Sequence, residues 1–383
     1  MDKIAVFWGP DKDFDNAIKD LSSSNRLIDV LDIIDEKIVS VKTDTKTKDN
    51  SDENKPVIIE NLVIRTDDYS ILTAGALSSI ANTVLNSPRI EIGNLWLQNP
   101  PLAAYRSITS CFDASIITKH KHRYKNITES ILRKLVENYD DVVVGQSKVM
   151  KHILPALYSQ HRNARKRPVV LLFLGDSGIG KTETAKYISD VLGERLVRIQ
   201  CSMQQTNIAY QYIFGGEHNQ NSMARDLIRR TSNVILLDEF DKVHPQFYNA
   251  FYQMFDEGKY VDSSYEVDVS KCVFICTSNF QSRTEAEKQL GKPILSRFSE
   301  VVIFEPLSAE SKMRIVDNVL ETYISQLSIE DRKIMEKKNG AESLRAEFEK
   351  AIKRGGGYGN IRMLKNDIEN AINYKMLEWK GIL

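Results

Sequence analysis

Residues 169–192 read VVLLFLGDSGIGKTETAKYISDVL. An apolar run, Val169–Leu174, ends on Gly175, and the segment that follows, GDSGIGKT (175–182), fits G-x-x-x-x-G-K-[ST]. ETAKYISDVL then takes up a helical period. A strand, a glycine turn and a helix in this order let backbone N–H groups wrap phosphates at the helix N-terminus. Lys181 is expected to reach the β- and γ-phosphates and the Thr182 hydroxyl to ligate Mg²⁺. Asp176, Ser177, Gly178, Ile179, Gly180 and Glu183 complete the expected phosphate-binding turn.

Downstream, VILLDE (234–239) supplies the partner motif. Its four apolar residues read as a central strand. Asp238 at the carboxyl end is placed to hold Mg²⁺, and Glu239 to polarise the attacking water as general base. KCVFICTSN (271–279) is a third buried strand of the same kind. Continuous apolar strands separated by helical stretches are the signature of a parallel sheet covered on both faces. After Pro306 the chain turns helical to its end, where Ile361, Leu364, Ile368, Ile372 and Met376 form one apolar stripe.

The first third of the chain has no motif of this strength. IAVFW, EKIVSVK, VIIENLVIR and RIEIGNLWL read as strands, and SILTAGALSSIANTVL as helical. The polar stretch TDTKTKDNSDENKP reads as a loop. We therefore expect an α/β protein in three parts: an N-terminal α/β module over 1–125, a large α/β ATPase domain over 126–306, and a small helical domain over 307–383.

Composition fits this division. The chain has 383 residues with 42% hydrophobic and 27% charged, which excludes global disorder and a disulfide miniprotein. Lys plus Arg number 52 and Asp plus Glu number 52, so there is no net field to gather nucleic acid or anionic membrane. The basic run KHKHRYK (119–125) is the one local exception, read as a solvated linker. Four cysteines are too few for a disulfide framework, and Cys272 and Cys276 read as inert strand residues. No signal peptide or 18-residue apolar run is present, so a cytoplasmic protein is expected.

Those motifs, with their surroundings, resemble the AAA+ ATPases, and within them the Clp-type chaperone branch. VVVGQSKVMKHI (142–153) resembles the branch's entry motif, which implies that Gly145 and Gln146 lie near the adenine. DEFDKVHPQFYNAFYQMFDEGKYVD resembles its extended second Walker motif, with His244 read as a helix-start residue. Asn279 matches the sensor-1 position that orients the hydrolytic water. GKPILSRFSEVVIFEPLS resembles the arginine-finger segment and assigns that role to Arg297. GGGYGNIRML resembles the sensor-2 motif and implies that Arg362 faces the phosphates. The resemblance implies ATP and Mg²⁺ as cofactors and a homo-oligomer, most simply a hexameric ring, because the finger acts on a neighbour's nucleotide.

The sequence departs from peptide-threading relatives between the Walker motifs. QYIFGGEHNQNSMARDLIRR (211–230) has a polar tip, Glu217–His218–Asn219, where a Gly-aromatic-apolar-Gly loop would grip substrate. Tyr212 and Phe214 are read as packing the preceding helix. In lacking that aromatic the chain is similar to torsin-like ATPases. The expected function is remodelling or assembly control of a protein partner selected by the N-terminal module. A nucleotide-gated regulator or scaffold in a larger assembly, such as a phage-defence system, and a nucleic-acid-linked switch remain as alternatives.

Overall fold

The computed structural model describes residues 1–43, 55–162, 166–203, 207–216, 220–355, 358 and 360–383. They divide into two compact units. One comprises residues 1–125, 203–233 and 243–271; the other comprises 126–202, 234–242 and 272–383.

The first unit contains a parallel sheet of β1 (Lys3–Trp8), β2 (Asn25–Arg26), β3 (Val57–Ile64), β4 (Ile90–Gln98) and β5 (Ile117–Lys121). Their order is β2-β3-β4-β1-β5. Ile4 and Val6 of β1 and Leu95 and Leu97 of β4 point into one core with Leu27, Val30, Ala104 and Ile108. The helices Leu27–Thr43 and Leu102–Cys111 supply those last four side chains. EKIVSVK, expected as a strand, belongs to the helix Leu27–Thr43. Its β-branched residues favour a strand by propensity, but Leu27, Val30 and Ile34 already present a helical stripe to the core, and packing overrides propensity. SILTAGALSSIANTVL is broken into short turns, with one α-helical segment at Ala74–Ser78. The loop expected over 43–56 lies mostly outside the described residues.

Residues 203–233 and 243–271 complete this unit with the helices Asn207–Phe214, Met223–Ile228 and Tyr248–Glu257 and a two-stranded hairpin. Tyr212 and Phe214 lie in the first of these helices, both half-buried, with Phe214 against Tyr210 and Phe247. His244 caps the turn Pro245–Phe247 by accepting from Gln246 N–H. Glu217, His218 and Asn219 lie outside the described residues.

The second unit is built on β6 (Val169–Leu174), β7 (Val197–Gln200), β8 (Val234–Asp238), β9 (Val273–Thr277) and β10 (Glu300–Ile303). All are parallel, in the order β7-β8-β9-β6-β10. Every residue of β6, β8 and β9 is buried, which is why these strands read as unbroken apolar runs. Helices Glu129–Glu137, Val149–His161 and Lys181–Leu192 cover one face through Leu135, Ile153, Leu157 and Ile188.

The helices Ala309–Gln326, Ile329–Lys337, Gly340–Lys353 and Ile361–Trp379 pack around their own core. Leu364, Ile368, Ile372 and Met376 of the expected stripe are buried there with Leu344 and Phe348. Ile368→Ala should destabilise the protein by about 2–5 kcal/mol in a denaturant titration. Met363→Ala, on the exposed side of the same helix, should stay within about 0.5 kcal/mol of the parent.

Candidate nucleotide site

The glycine turn leaves β6 at Gly175 and enters the helix Lys181–Leu192 at Gly180. Gly175, Gly178 and Gly180 have φ of +126°, +77° and +108°, which side chains of L-residues rarely tolerate. A Cβ on Gly178 would lie 2.0 Å from Asn360 Oδ1 and one on Gly175 2.7 Å from the Phe304 carbonyl. The turn is therefore a bare-backbone cradle held from behind, as phosphate binding requires.

Lys181 sits at its centre, 7% exposed. Its ammonium donates to the Gly175 carbonyl, to the Asp176 carbonyl at 2.8 Å and to Asn279 Oδ1 at 3.4 Å. Burial pulls its pKa down to about 8, against the pull of Asp241, Asp176 and Asp238 toward the charged form. Gln281 Nε2 donates to Asp176 Oδ1 at 2.8 Å and ties the turn to the loop after β9. Ser177, Thr182 and Glu183 are exposed around the mouth, whereas Ile179 is buried beneath it.

At the end of β8, Asp238 and Glu239 are held by groups the motif reading missed. The Thr277 hydroxyl donates to Asp238 Oδ1 at 2.5 Å and accepts from the Glu239 backbone N–H at 2.9 Å. Arg198 on β7 pairs with Asp238 Oδ2, at 3.0 Å from Nε and 2.5 Å from Nη2. Gln200 Nε2 donates to Glu239 Oε2 at 2.9 Å. Glu239 has φ +56°, a strained backbone for a non-glycine residue at the proposed base. Asp241 lies alongside with its side chain 5% exposed and its Oδ1 without a hydrogen-bond partner among the described residues. Thr277 stands in the quoted CTSN and the β7 residues follow the P-loop helix. Their signal was the strand pattern alone, since pairing across strands cannot be read from one segment.

Gly145 and Gln146 join three parts of this unit. Gln146 is buried, and its Nε2 donates to the Ile179 carbonyl at 3.1 Å and the Glu305 carbonyl at 2.8 Å. Gly145, at φ +82°, faces Leu307 and Ser311, each of which an added Cβ would meet within 3 Å. The helix Ile361–Trp379 begins against the same turn: Ile361 N–H donates to the Gly178 carbonyl at 3.1 Å. Arg362, the second residue of that helix, is exposed, and its N–H is capped by Asn360. Gly356, Gly357 and Gly359 of the same motif lie outside the described residues. Arg297 lies in the turn after the helix Lys292–Leu295 and donates from Nη1 to the Pro293 carbonyl at 2.5 Å.

The structure thus brings Lys181, Asp176 and Asn279 together and sets Asp238 and Glu239 on one hydroxyl. Cys201, Cys272 and Cys276 are buried, and burial pushes the Cys201 and Cys276 thiols up, away from reactivity. Among the described residues no cluster of three or more His, Cys, Asp or Glu is arranged to hold a metal on its own. No helix of the described residues is long and apolar enough to cross a membrane. Thr277→Val removes the hydroxyl that positions both acids. It should lower ATP turnover roughly 10–100-fold while nucleotide affinity stays near the parent value.

Residues 166–349 match the family described as AAA domain (Cdc48 subfamily). The chain is 31% identical over 229 residues to the chaperone protein ClpB of Helicobacter hepaticus, covering 53% of this chain and 26% of that protein. It is 32% identical over 212 residues to ClpB of Staphylococcus aureus and of Staphylococcus epidermidis, covering 46% of this chain and 24% of each relative. The chain therefore spans about a quarter of the length of the curated relatives it matches. With the cradle, the buried lysine and the paired acids, this match supports a Clp-type AAA+ ATPase domain, similar to those of the ClpB chaperones.

Proposed function

We propose that the protein hydrolyses ATP in a Mg²⁺-dependent reaction and uses that cycle, as an oligomer, to remodel or control the assembly of a protein partner. The observation that carries the reading is the Lys181 ammonium, desolvated within a glycine cradle and facing the charges of Asp241, Asp176 and Asp238. A buried cation whose hydrogen bonds among the described residues go to two carbonyls and an amide is poised to exchange them for phosphate oxygens. The residues fit the metal as well, since Thr182, Asp238 and Asp241, whose Oδ1 has no hydrogen-bond partner among the described residues, offer hard oxygen donors. Mg²⁺ held by Thr182 and Asp238 would neutralise phosphate charge.

The chain's own groups do the rest. Glu239 accepts the proton of the attacking water, and Asn279 orients that water. Both acids are engaged in the present arrangement, Asp238 by Arg198 and Glu239 by Gln200. Hydrolysis therefore requires those contacts to loosen. Gly145 and Gln146 take the adenine end, and Arg362 stabilises phosphate charge from the helical domain. Arg297 serves a neighbouring copy's nucleotide, which makes a ring, most simply a hexamer, the active form. Residues 1–125 select the partner, and the cytoplasm is the proposed compartment.

Lys181→Ala should abolish ATP binding, measured by calorimetry, whereas Glu239→Gln should bind ATP with turnover reduced by about 10²-fold or more. Wild-type turnover in Glu239→Gln would rule out the general-base role. Arg297→Ala should keep ATP binding and lose about 10³-fold in rate. Mixing it with Lys181→Ala should restore part of the activity, because mixed interfaces unite one intact finger with one intact cradle. No restoration, with a monomer at saturating ATP, contradicts the ring.

A further inference from the structure

The two parallel sheets share one strand order: β2-β3-β4-β1-β5 in the first unit and β7-β8-β9-β6-β10 in the second. With β1 matched to β6, β2 to β7, and so on to β5 and β10, the two orders are identical. The register agrees residue by residue. Phe7 pairs with Gln98 on β4 as Phe173 pairs with Thr277 on β9. Trp8 pairs with Lys121 as Leu174 pairs with Ile303.

Backbone hydrogen bonds beyond the strands repeat too. Asn99 N–H donates to the Phe7 carbonyl at 2.7 Å, and Ser278 N–H to the Phe173 carbonyl at 2.9 Å. His122 N–H donates to the Trp8 carbonyl at 2.8 Å, and Phe304 N–H to the Leu174 carbonyl at 2.9 Å. Each first strand ends on a positive-φ glycine, Gly9 at +148° and Gly175 at +126°. A Cβ on either would strike the residue just past the fifth strand, His122 at 2.6 Å or Phe304 at 2.7 Å. Chain rules limit the topologies open to such a sheet, but they do not impose the same register, glycine and contact twice.

The chemistry is missing from the first copy. Register places Ile64 opposite Leu97 and Leu237 opposite Cys276, so Arg65 and Thr66 stand where the second copy has Asp238 and Glu239. After Gly9 there is no phosphate loop, for the helix Asp11–Ile18 starts past Pro10 with Asp11 and Asp13 in its first turn. Asn99 seals the turn: its Oδ1 accepts from Gly9 N–H at 2.8 Å, and its Nδ2 donates to the Gly9 carbonyl at 2.9 Å and Thr66 Oγ1 at 3.0 Å. An acidic helix start with its glycine N–H already taken repels phosphate.

Cations of this chain occupy the place instead. Arg225, 7% exposed, donates to the Thr66 carbonyl at 3.2 Å and Asp67 Oδ1 at 2.5 Å. Arg229 reaches Asp67 Oδ1 at 2.9 Å and Asp11 Oδ2 at 2.5 Å. Both arginines belong to the segment that connects β7 to β8, the strand carrying Asp238.

We infer that residues 3–122 are a second copy of the ATPase sheet whose nucleotide site has been lost and converted into an internal docking site for Arg225 and Arg229. The module is then a nucleotide-independent clamp on the connection that leads into the catalytic strand. This rests on reading the Lys181 cradle as the ATP site.

Calorimetry with ATP and hydrogen exchange, both on the full chain, test it, with Glu239→Gln used to retain nucleotide. One ATP should bind per chain, slowing exchange at 175–182 and leaving 9–13 and 65–68 unchanged. Asp67→Ala should raise exchange at 65–68 and at 223–230 together, by roughly tenfold, with stoichiometry still one. Arg229→Gln should raise it at the same two segments. A second ATP per chain, ATP protection at 9–13, or unaltered exchange at 223–230 in both variants overturns the proposal. ATP binding that survives Lys181→Ala at one per chain would instead remove the cradle reading on which it rests.

Discussion

A lysine ammonium withdrawn from water must be solvated by something, and the ATPase sheet is arranged around that demand. Gly175 and Asp176 offer carbonyls within a turn whose Gly175, Gly178 and Gly180 take positive φ, and Asn279 offers its amide from the loop after the neighbouring strand. The deficit that remains shows in a pKa pulled down to about 8. Such a group gains more from a phosphate than an exposed lysine would, since the cost of stripping its water has been met in folding. The same reasoning applies to Asp238, which is buried and satisfied by Thr277 and Arg198; in the proposed cycle a metal would replace one of them.

Much of this was legible in the sequence because the relevant residues are contiguous. GDSGIGKT and VILLDE each lie at one strand end, so a linear pattern reports a three-dimensional site. The apolar runs of β6, β8 and β9 were equally plain, since strands buried on both faces tolerate little else. Arg198, Gln200 and Thr277 were not identified, because what matters about them is which strand lies beside which. EKIVSVK was misread for a related reason: its local preference is for a strand, and the helix it joins is set by residues before it. Arg297 and Arg362 carry roles taken from motif resemblance. Their own positions, one in a turn and one on an exposed helix start, do not spell out those roles.

The first sheet was the least legible part and became the most informative. β1, β3 and β4 could be found by pattern; β2 is too short to show one, and β5 (Ile117–Lys121) runs into KHKHRYK, which reads as a solvated linker but whose first three residues pair with β1. Nothing in GPDKDFD resembles GDSGIGKT, since the residues that make the motif recognisable are the ones that are gone. What persists is backbone: a glycine at the end of the first strand, the same cross-strand register and the same hydrogen bonds past the sheet. Packing and chain geometry retain a fold after its chemistry is lost. Arginine–aspartate pairs of the same chain then occupy the vacated strand ends.

In the proposed cycle the cradle releases Lys181 and Asp238 to ATP and Mg²⁺. An experimental structure of Glu239→Gln with both bound is the decisive measurement. Lys181 Nζ is expected on phosphate oxygens instead of the Gly175 carbonyl, and Asp238 parted from Arg198 and facing the metal. Nucleotide bound elsewhere, or Lys181 and Arg198 both still in their present contacts beside bound ATP, would contradict it.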